Sequence, residues 1–270
     1  MSKALLKGGS IAYFFVSCIQ VFVPDTILKQ IPLFQCVEND DCKVLIIRLL
    51  LYFVVLTVAT GIIIIYLKKR TKIVIRGKNY TVEVRYGDIF SINNCKKLIA
   101  FDECYTTKVG HAPQDINPSS ICGKYLLNHS IDINNLIQEN GIRKARGKSR
   151  YNHQDKYESG TLIPCDDFLL LAFAKLDEDG KGYITRNEYL DCLSLMWKEI
   201  DKYYAQTDIC IPILGSGTTR TGDGNPLTQQ ELLDIIIGSY KICGSKIKHP
   251  NKLIIICQKS DEFSLNKITA

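Results

Sequence analysis

The chain has 270 residues, a formal net charge of +6 and 46% hydrophobic residues, so it is long enough for one large domain or two small ones. Its 11 cysteines and four histidines are scattered, and no C-x-x-C pair follows residue 70, which argues against a zinc site. The composition is ordinary as a whole, but two long apolar runs fall within the first 67 residues.

The second apolar run, Leu49–Leu67, contains no charge and no proline. At 1.5 Å per residue it makes a helix of about 28 Å, close to the roughly 30 Å of a bilayer's hydrocarbon core. A buried helix of a soluble protein is rarely apolar on every side. The run therefore predicts a membrane span over about residues 46–67.

The first run, Gly8–Pro24, is shorter, contains Gln20 and follows Lys3 and Lys7. A signal peptide is the alternative, but such a peptide ends in a small-residue cleavage site, and none stands here. We therefore expect a second span over about residues 8–24, which makes residues 1–70 a two-helix transmembrane hairpin.

Basic residues lie before the first span and after the second span, whereas the connecting loop, residues 25–43, holds more acids than bases. Excess Lys and Arg marks the cytoplasmic side, so both termini are expected in the cytoplasm. The loop also carries Cys36 and Cys42, whose separation permits a disulfide without requiring one.

Residues 71–270 combine strand and helix patterns that predict an α/β domain with a mixed sheet and helices outside it. Alternating and apolar runs predict a hairpin across 73–84, strands at 96–102, 161–176, 208–214 and 253–258, and a helix near 132–139. Two T-x-x-E capping boxes, Thr185 with Glu188 and Thr228 with Glu231, predict two further helices, the second ending near Lys241.

The sharpest functional candidate is the segment Gly215-Ser216-Gly217-Thr218-Thr219-Arg220, which follows a strand and precedes a helix. Glycines let backbone N–H groups close on an anion, hydroxyl groups add donors, and an arginine can pair with a phosphate. The segment matches neither the Walker pattern nor the complete G-x-G-x-x-G pattern. Phosphate binding and a plain turn are therefore both open from this segment alone.

A second loop, Asp177–Glu188, has the spacing of an EF-hand, with acids at its first, third and last positions. Lys181 stands where a ligand belongs, a strand pattern precedes the loop, and Glu188 belongs to a capping box. A strand-to-helix turn is the better interpretation, and a calcium-responsive membrane sensor is the alternative.

Five positive charges lie between Arg143 and Arg150. A solvated loop is the usual meaning of such a run. The alternative is contact with anionic lipid headgroups or phosphates.

Six ordered segments within residues 72–260 resemble the macro-like domain of the transmembrane effectors of bacterial Thoeris anti-phage systems, the type II form of ThsA. The two N-terminal spans match the layout of that family. The segments are VEVRYGDIF, LIAFDECYTTKV, INPSSICGKYL, YESGTLIPCDDFLLLAFAKLDEDG, ITRNEYLDCLSLMWKEIDKYY and IPILGSGTTR.

The resemblance implies an ADP-ribose cleft at the ends of the central strands. Asp88 is expected to accept the adenine amino group beside the Ile89 backbone, and Gly215–Thr219 to cradle the diphosphate with Arg220 beside it. Relatives tend to carry Asn at Asp102 and Asp at Thr106. Asp102, Glu103 and Thr106 are expected near the distal ribose. The carboxylate that Asp102 adds there suits a cationic group.

The resemblance further implies a non-enzymatic effector in the bacterial inner membrane that needs no cofactor. Its ligand is expected to be an ADP-ribose derivative, histidine-ADP-ribose, made by a partner TIR protein. Binding is expected to drive homo-oligomerisation and membrane disruption, with no nucleic acid involved. The enzymatic alternative is a macro-type ADP-ribosyl hydrolase, but residues 102–110 lack the Asn-containing, Gly-rich catalytic loop of those enzymes.

Overall fold

A computed structural model describes residues 9–11, 13–18, 24–30, 40–217, 219–221, 226–243 and 247–268 of the chain. The chain divides into two compact units, Met1–Arg70 and Thr71–Ala270.

The N-terminal unit contains helices α1 (Asp25–Lys29) and α2 (Asp40–Lys68). Among the described residues, the stretch Asp41–Lys68 of α2 is the one helix whose length and apolar composition suit a membrane crossing. A shorter apolar helix runs over Gly9–Cys18, within the first predicted span. Cys36 lies outside the described residues, so its pairing with Cys42 stays a prediction.

The C-terminal unit is built on a nine-stranded mixed sheet. Its strands are β1 (Lys72–Arg76), β2 (Thr81–Tyr86), β3 (Cys95–Asp102), β4 (Leu162–Cys165), β5 (Phe168–Leu176), β6 (Gly182–Ile184), β7 (Asp208–Pro212), β8 (Arg220–Thr221) and β9 (Leu253–Cys257). Their order in the sheet is β1-β2-β9-β7-β3-β5-β6-β8, with β4 paired to β5. Strands β2, β9, β7, β3 and β5 are mutually parallel, whereas β1 and β4 run antiparallel to their neighbours. The predicted mixed α/β sheet is thereby confirmed.

Burial explains the strand patterns. Every residue of β9 is buried, because β2 and β7 flank it and both of its faces are covered, so it reads as an unbroken apolar run. In the edge strand β1, Ile73 and Ile75 are buried while Lys72 and Arg76 are exposed, so apolar and polar residues alternate.

Helices cover both faces of the sheet. One face packs against α5 (Arg186–Tyr203) and α6 (Gln229–Ile242), and the other against α3 (Ile121–Asn128) and α4 (Ile133–Glu139). Both predicted capping boxes are present at the starts of α5 and α6, where each threonine and its glutamate satisfy each other's backbone N–H groups.

Two features differ from the sequence predictions. Residues 161–176 form two antiparallel strands rather than one, because the chain reverses at Asp166, whose φ is 50°. Helix α3 was not predicted; it begins after Ser120, whose side chain accepts a hydrogen bond from the Gly123 N–H.

Candidate functional site

The segments that follow the parallel strands share one edge of the sheet, called here the carboxyl edge. Because β2, β9, β7, β3 and β5 run in the same direction, their carboxyl ends all lie at this edge. Ligands of open α/β sheets bind at this edge. In sheet order, it presents Asp88 after β2, Gln258 after β9, Gly215 after β7, Asp102 at the end of β3 and Asp177 after β5.

The glycine loop, which is the segment Gly215–Thr219 after β7, exposes Ser216 and Gly217 at its tip. Gly215 has a φ of +78°, which a residue without a side chain adopts at no steric cost. The Ser216 hydroxyl group donates a 2.7 Å hydrogen bond to the Ile213 carbonyl oxygen, which tightens the turn. A Cβ atom placed on Gly217 would meet nothing within 4 Å, so open space lies in front of the loop.

The base of this loop is held from below by α5. The buried hydroxyl group of Tyr189 donates a 3.1 Å hydrogen bond to the Leu214 carbonyl oxygen, directly before Gly215. The Ile213 N–H donates to the Ile256 carbonyl oxygen of β9. The capping box of Thr185 and Glu188 predicts the helix that carries Tyr189, but the contact of Tyr189 with the loop has no signal in the sequence.

The far end of the loop is held by the turn after β5. Arg220 lies in β8 opposite Tyr183, and its guanidinium group forms an ion pair with Asp177. Desolvation raises the pKa of Asp177, but hydrogen bonds from the Lys181 N–H and the Arg220 guanidinium outweigh it and hold the pKa below its ordinary value. Thr219 lies beside Gly182, and Thr218 lies outside the described residues.

Asp88 and Ile89 begin a short 3₁₀ turn immediately after β2. Asp88 is exposed, and its Oδ1 atom accepts a 3.2 Å hydrogen bond from the Phe90 N–H. The Ile89 side chain is buried against Cys210 and Ile254, which fixes the backbone beside Asp88. Only β9 separates this turn from the strand that carries the glycine loop.

Asp102 and Thr106 form a closed loop at the end of β3. The Asp102 Oδ1 atom accepts hydrogen bonds from the Cys104 N–H at 2.8 Å and the Thr106 N–H at 3.1 Å. Burial raises the pKa of Asp102, and these hydrogen bonds only partly offset it. The carboxylate therefore stabilises the conformation of its own loop.

Glu103 lies under the carboxyl edge rather than on its surface, with 3% of the residue exposed. Its Oε1 atom accepts hydrogen bonds from the Ser149 hydroxyl group at 2.7 Å and the Leu176 N–H at 3.3 Å. Its carbonyl oxygen accepts a further one from the Tyr157 N–H at 2.7 Å. Glu103 thus joins the end of β3, the end of β5 and the segment that carries Ser149.

The loop with EF-hand spacing is a β-hairpin turn, since β5 precedes it and β6 pairs back onto β5. The Asp177 Oδ1 atom accepts hydrogen bonds from the Asp179 and Lys181 N–H groups, and Glu188 binds Lys175 and the Thr185 N–H. These carboxylates are engaged within the protein. Within the described ranges, no group of three His, Cys, Asp or Glu side chains is arranged to hold a metal ion.

The order of these segments along the chain matches one family. Residues 82–258, more than half of the chain, match the family model described as Thoeris protein ThsA, Macro domain. The chain belongs to the ThsA macro-domain family. The match starts within β2 and ends just after β9, so it includes Asp88, Asp102 and the glycine loop. The resemblance drawn from the sequence is thereby confirmed.

Individual proteins are also similar to the chain. The Thoeris protein ThsA of Bacillus amyloliquefaciens (strain Y2) is 32% identical over 197 residues, which cover 68% of this chain and 65% of that relative. The chain thus spans about two thirds of the curated relative's length. A solved Oceanobacillus iheyensis macrodomain with ADP shares 13% identity at a TM-score of 0.41, covering 71% of this chain and 90% of its own. A variant of that macrodomain with ADPR shares 13% identity at a TM-score of 0.39, covering 71% and 91%.

Proposed function

We propose that the chain is a membrane-anchored effector of Thoeris anti-phage defence whose ThsA-family macro domain binds an ADP-ribose derivative at the carboxyl edge. The observation that carries the proposal is the order of the candidate residues along this edge. Asp88, the glycine loop and Asp102 follow β2, β7 and β3, so they stand in one row.

The spacing of this row suits the parts of ADP-ribose. Strands β2 and β7 are two strand spacings apart, about 10 Å. This distance is similar to the length of an adenosine joined to a diphosphate. Asp88 is exposed and accepts the adenine amino group, while the Gly215–Thr219 loop and Arg220 bind the diphosphate. The distal ribose then lies toward Asp102 and Thr106 at the end of β3.

The chemistry of the distal end favours a substituted ribose. Asp102 places a carboxyl group where a cationic substituent can be recognised, which is consistent with histidine-ADP-ribose made by a partner TIR protein. We assign the contact with the cationic substituent to the Oδ2 atom of Asp102, because its Oδ1 atom already accepts hydrogen bonds from two backbone N–H groups.

In this proposal α2 is a membrane anchor and ligand binding is the trigger. Its apolar stretch is long enough to cross the bacterial inner membrane, and the first apolar run supplies the second span, with both termini in the cytoplasm. Ligand-induced homo-oligomerisation of these hairpins disrupts the membrane.

A binding role rather than hydrolysis is proposed for the macro domain. The loop after β3 is held closed by Asp102 through its own backbone N–H groups, and it lacks the Asn- and Gly-rich sequence of macro-type hydrolases. Incubation of the purified chain with ADP-ribosylated protein checks this role. Release of ADP-ribose with multiple turnovers would establish the hydrolase instead.

The binding proposal is tested by calorimetric melting of the full chain in lipid nanodiscs. A ligand at 100 times its Kd stabilises the folded state by about 2.7 kcal/mol, so an ADP-ribose derivative is expected to raise the Tm. Gly217→Glu fills the open space in front of the loop with a negative charge and is expected to abolish the shift.

Gly238→Glu is the matched control, because Gly238 lies within α6 and also has open space around its Cβ position. This variant is expected to keep the full ligand-induced shift. A wild-type chain that shows no shift with ADP-ribose or histidine-ADP-ribose would refute the proposal.

A further inference from the structure

The segment Arg143–Lys156, called here the basic arm, carries most of the chain's net charge. Six Lys and Arg residues and a single acid, Asp155, give it a formal charge of +5, whereas the whole chain has +6. The rest of the chain is therefore close to neutral. A segment that concentrates charge in this way creates a local positive potential that attracts an anionic partner.

The basic arm is an ordered hairpin rather than a loose loop. The Ala145 N–H donates to the Lys156 carbonyl oxygen at 2.8 Å, and the Ser149 N–H to the Gln154 carbonyl oxygen at 3.0 Å. Lys148 and Asp155 form a β-bridge between the two sides. Its charges are thus presented on a fixed backbone.

The charges of the arm are unevenly neutralised. Lys144 and Lys148 both pair with Asp155, so the arm's single acid is already shared by two ammonium groups. Arg143, Arg146 and Arg150 are exposed, and none of them pairs with an acid in the part of the chain that the structure describes. These three guanidinium groups are available to bind phosphates.

The arm is attached to the carboxyl edge. Ser149 and Tyr157 both bond to Glu103, which directly follows β3. The ring of Tyr151 lies so close to Gly180, in the turn after β5, that a Cβ atom there would stand 3.0 Å from it. The base and middle of the arm therefore lie at the ends of β3 and β5.

The chain also enters the α/β unit at this same edge. Strand β1 runs antiparallel to β2, so its first residue, Lys72, lies opposite Arg85, and the Tyr86 N–H donates to the Thr71 carbonyl oxygen. Four strand spacings, about 19 Å, separate β1 from β3 along the sheet. Helix α2 ends at Lys68, three residues before Thr71 in the chain.

We propose that the basic arm docks on the anionic phospholipid headgroups of the bilayer that α2 crosses, through Arg143, Arg146 and Arg150. This inference rests on the membrane anchoring in the proposed function. Each Arg near an anionic surface strengthens the attraction about fivefold, so three strengthen it roughly 100-fold. Because the chain links Thr71 covalently to α2, the arm experiences a high effective concentration of lipid headgroups. Docking holds the carboxyl edge at the membrane.

The arm fits lipid better than nucleic acid. Single-stranded nucleic acids need exposed aromatic rings on which bases stack. The only aromatic ring in the arm apart from the His153 imidazole is that of Tyr151, and it packs against the turn at Gly180. With His153 as its one exposed ring, the hairpin offers little surface on which bases can stack, and its charges suit phosphate headgroups.

Hydrogen exchange of the full chain in nanodiscs tests the proposal. Amide exchange across residues 143–156 is expected to be at least threefold slower in discs of phosphatidylcholine with phosphatidylglycerol than in discs of phosphatidylcholine alone. The difference is expected to disappear in high salt, because salt screens exposed charges. The triple variant Arg143→Gln, Arg146→Gln, Arg150→Gln is expected to lose it as well.

The matched control removes three exposed cations from the other end of the strands, opposite the carboxyl edge, where the Gly77–Asn79 turn and the segment before β9 meet. The triple variant Lys78→Gln, Lys241→Gln, Lys248→Gln is expected to keep the lipid-dependent protection. Equal Tm values for both triple variants exclude a folding defect as the cause.

Equal exchange of the arm in both kinds of disc would overturn the proposal. So would protection in neutral discs caused by ADP-ribose or by a short oligonucleotide, which would make the arm a reader of the soluble ligand or of nucleic acid. These outcomes are separable from failure of the proposed function. A chain without a ligand-induced Tm shift can still show lipid-dependent exchange of the arm. A chain with the Tm shift can likewise show equal exchange of the arm in both kinds of disc.

Discussion

The hydroxyl group of Tyr189 donates a 3.1 Å hydrogen bond to the carbonyl oxygen of Leu214, and both residues are buried. Tyr189 directly follows Glu188, whose capping box with Thr185 fixes the first turn of α5. Leu214 directly precedes Gly215. The start of a helix thus sets the backbone position from which the glycine loop projects, so the loop is held in place without a ligand.

Tyr189→Phe is expected to weaken the binding of an ADP-ribose derivative because the loop loses this support. The variant leaves the buried Leu214 carbonyl oxygen without its donor, at a cost of about 1–3 kcal/mol in the free energy of unfolding. Titration calorimetry and denaturant unfolding measure the two effects separately.

Tyr240→Phe is the control for that experiment. The Tyr240 hydroxyl group makes an equivalent buried hydrogen bond, 3.0 Å to the Ile247 carbonyl oxygen, but it lies in the last part of α6. We expect a similar loss of stability with unchanged ligand affinity. Equal affinity losses in both variants would show that Tyr189 acts only through global stability.

Gly215→Ala is expected to weaken ligand binding strongly, because an alanine at a φ of +78° costs about 1–2 kcal/mol and reshapes the loop. Gly217→Ala is expected to bind nearly as well as the wild type, since its methyl group enters open space. Affinities measured by calorimetry compare the two. The opposite ranking would contradict the assignment of the loop as the diphosphate cradle.

Ser149→Ala is expected to speed hydrogen exchange throughout the basic arm. The substitution removes the 2.7 Å hydrogen bond to the buried Glu103 carboxylate, which joins the arm to the carboxyl edge. Ser120→Ala removes a comparable side-chain bond from the start of α3 and serves as the control. Unchanged exchange in the arm of the Ser149 variant would mean that its backbone hydrogen bonds suffice to hold it.

The ion pair of Glu83 and Lys252 predicts a dependence of stability on pH. Desolvation raises the pKa of Glu83, but the 2.8 Å hydrogen bond from Lys252, with nearby positive charges, outweighs it and lowers the pKa below 4.5. The pair therefore stabilises the fold fully above about pH 4.5. This contribution is lost as the pH falls through the folded-state pKa.

Lys252→Gln is expected to lower the free energy of unfolding by about 1–3 kcal/mol at pH 7, since it removes the closer of two charged donors to the buried Glu83 carboxylate, the other being Arg85 at 3.5 Å. The loss is expected to shrink as the pH falls through the folded-state pKa of Glu83, because the protonated carboxyl group carries no charge. Lys78→Gln, an exposed change, is expected to have no effect at any pH of this titration. A Lys252→Gln penalty that stays constant as the pH is lowered would contradict this assignment.

Local chemistry made much of the fold predictable from the sequence. The apolar run of β9 and the two capping boxes each have one dominant physical interpretation, and the structure contains all three. The turn at Asp166 was missed because apolar residues lie on both sides of it, so the two strands read as one. Helix α3 was missed because Gly123, a poor helix former, stands in its first turn.

The two neighbouring acids after β3 show what the sequence cannot predict about the site. Asp102 and Glu103 were both expected beside the ligand. The pairing register of β3 with β5 shifts between Phe101 and Asp102, so strand alternation does not determine which carboxylate faces outward. Asp102 remains at the edge, whereas Glu103 lies beneath it and holds the basic arm.

The packing of Trp197 gives this protein its own optical reporter. It is the only tryptophan in the chain, it is fully buried, and its indole N–H donates a 3.0 Å hydrogen bond to Ser239 across the contact between α5 and α6. Its fluorescence therefore originates only from the α/β unit. A red shift of its emission registers unfolding of that unit even when lipids and the apolar helix dominate every other signal from the sample.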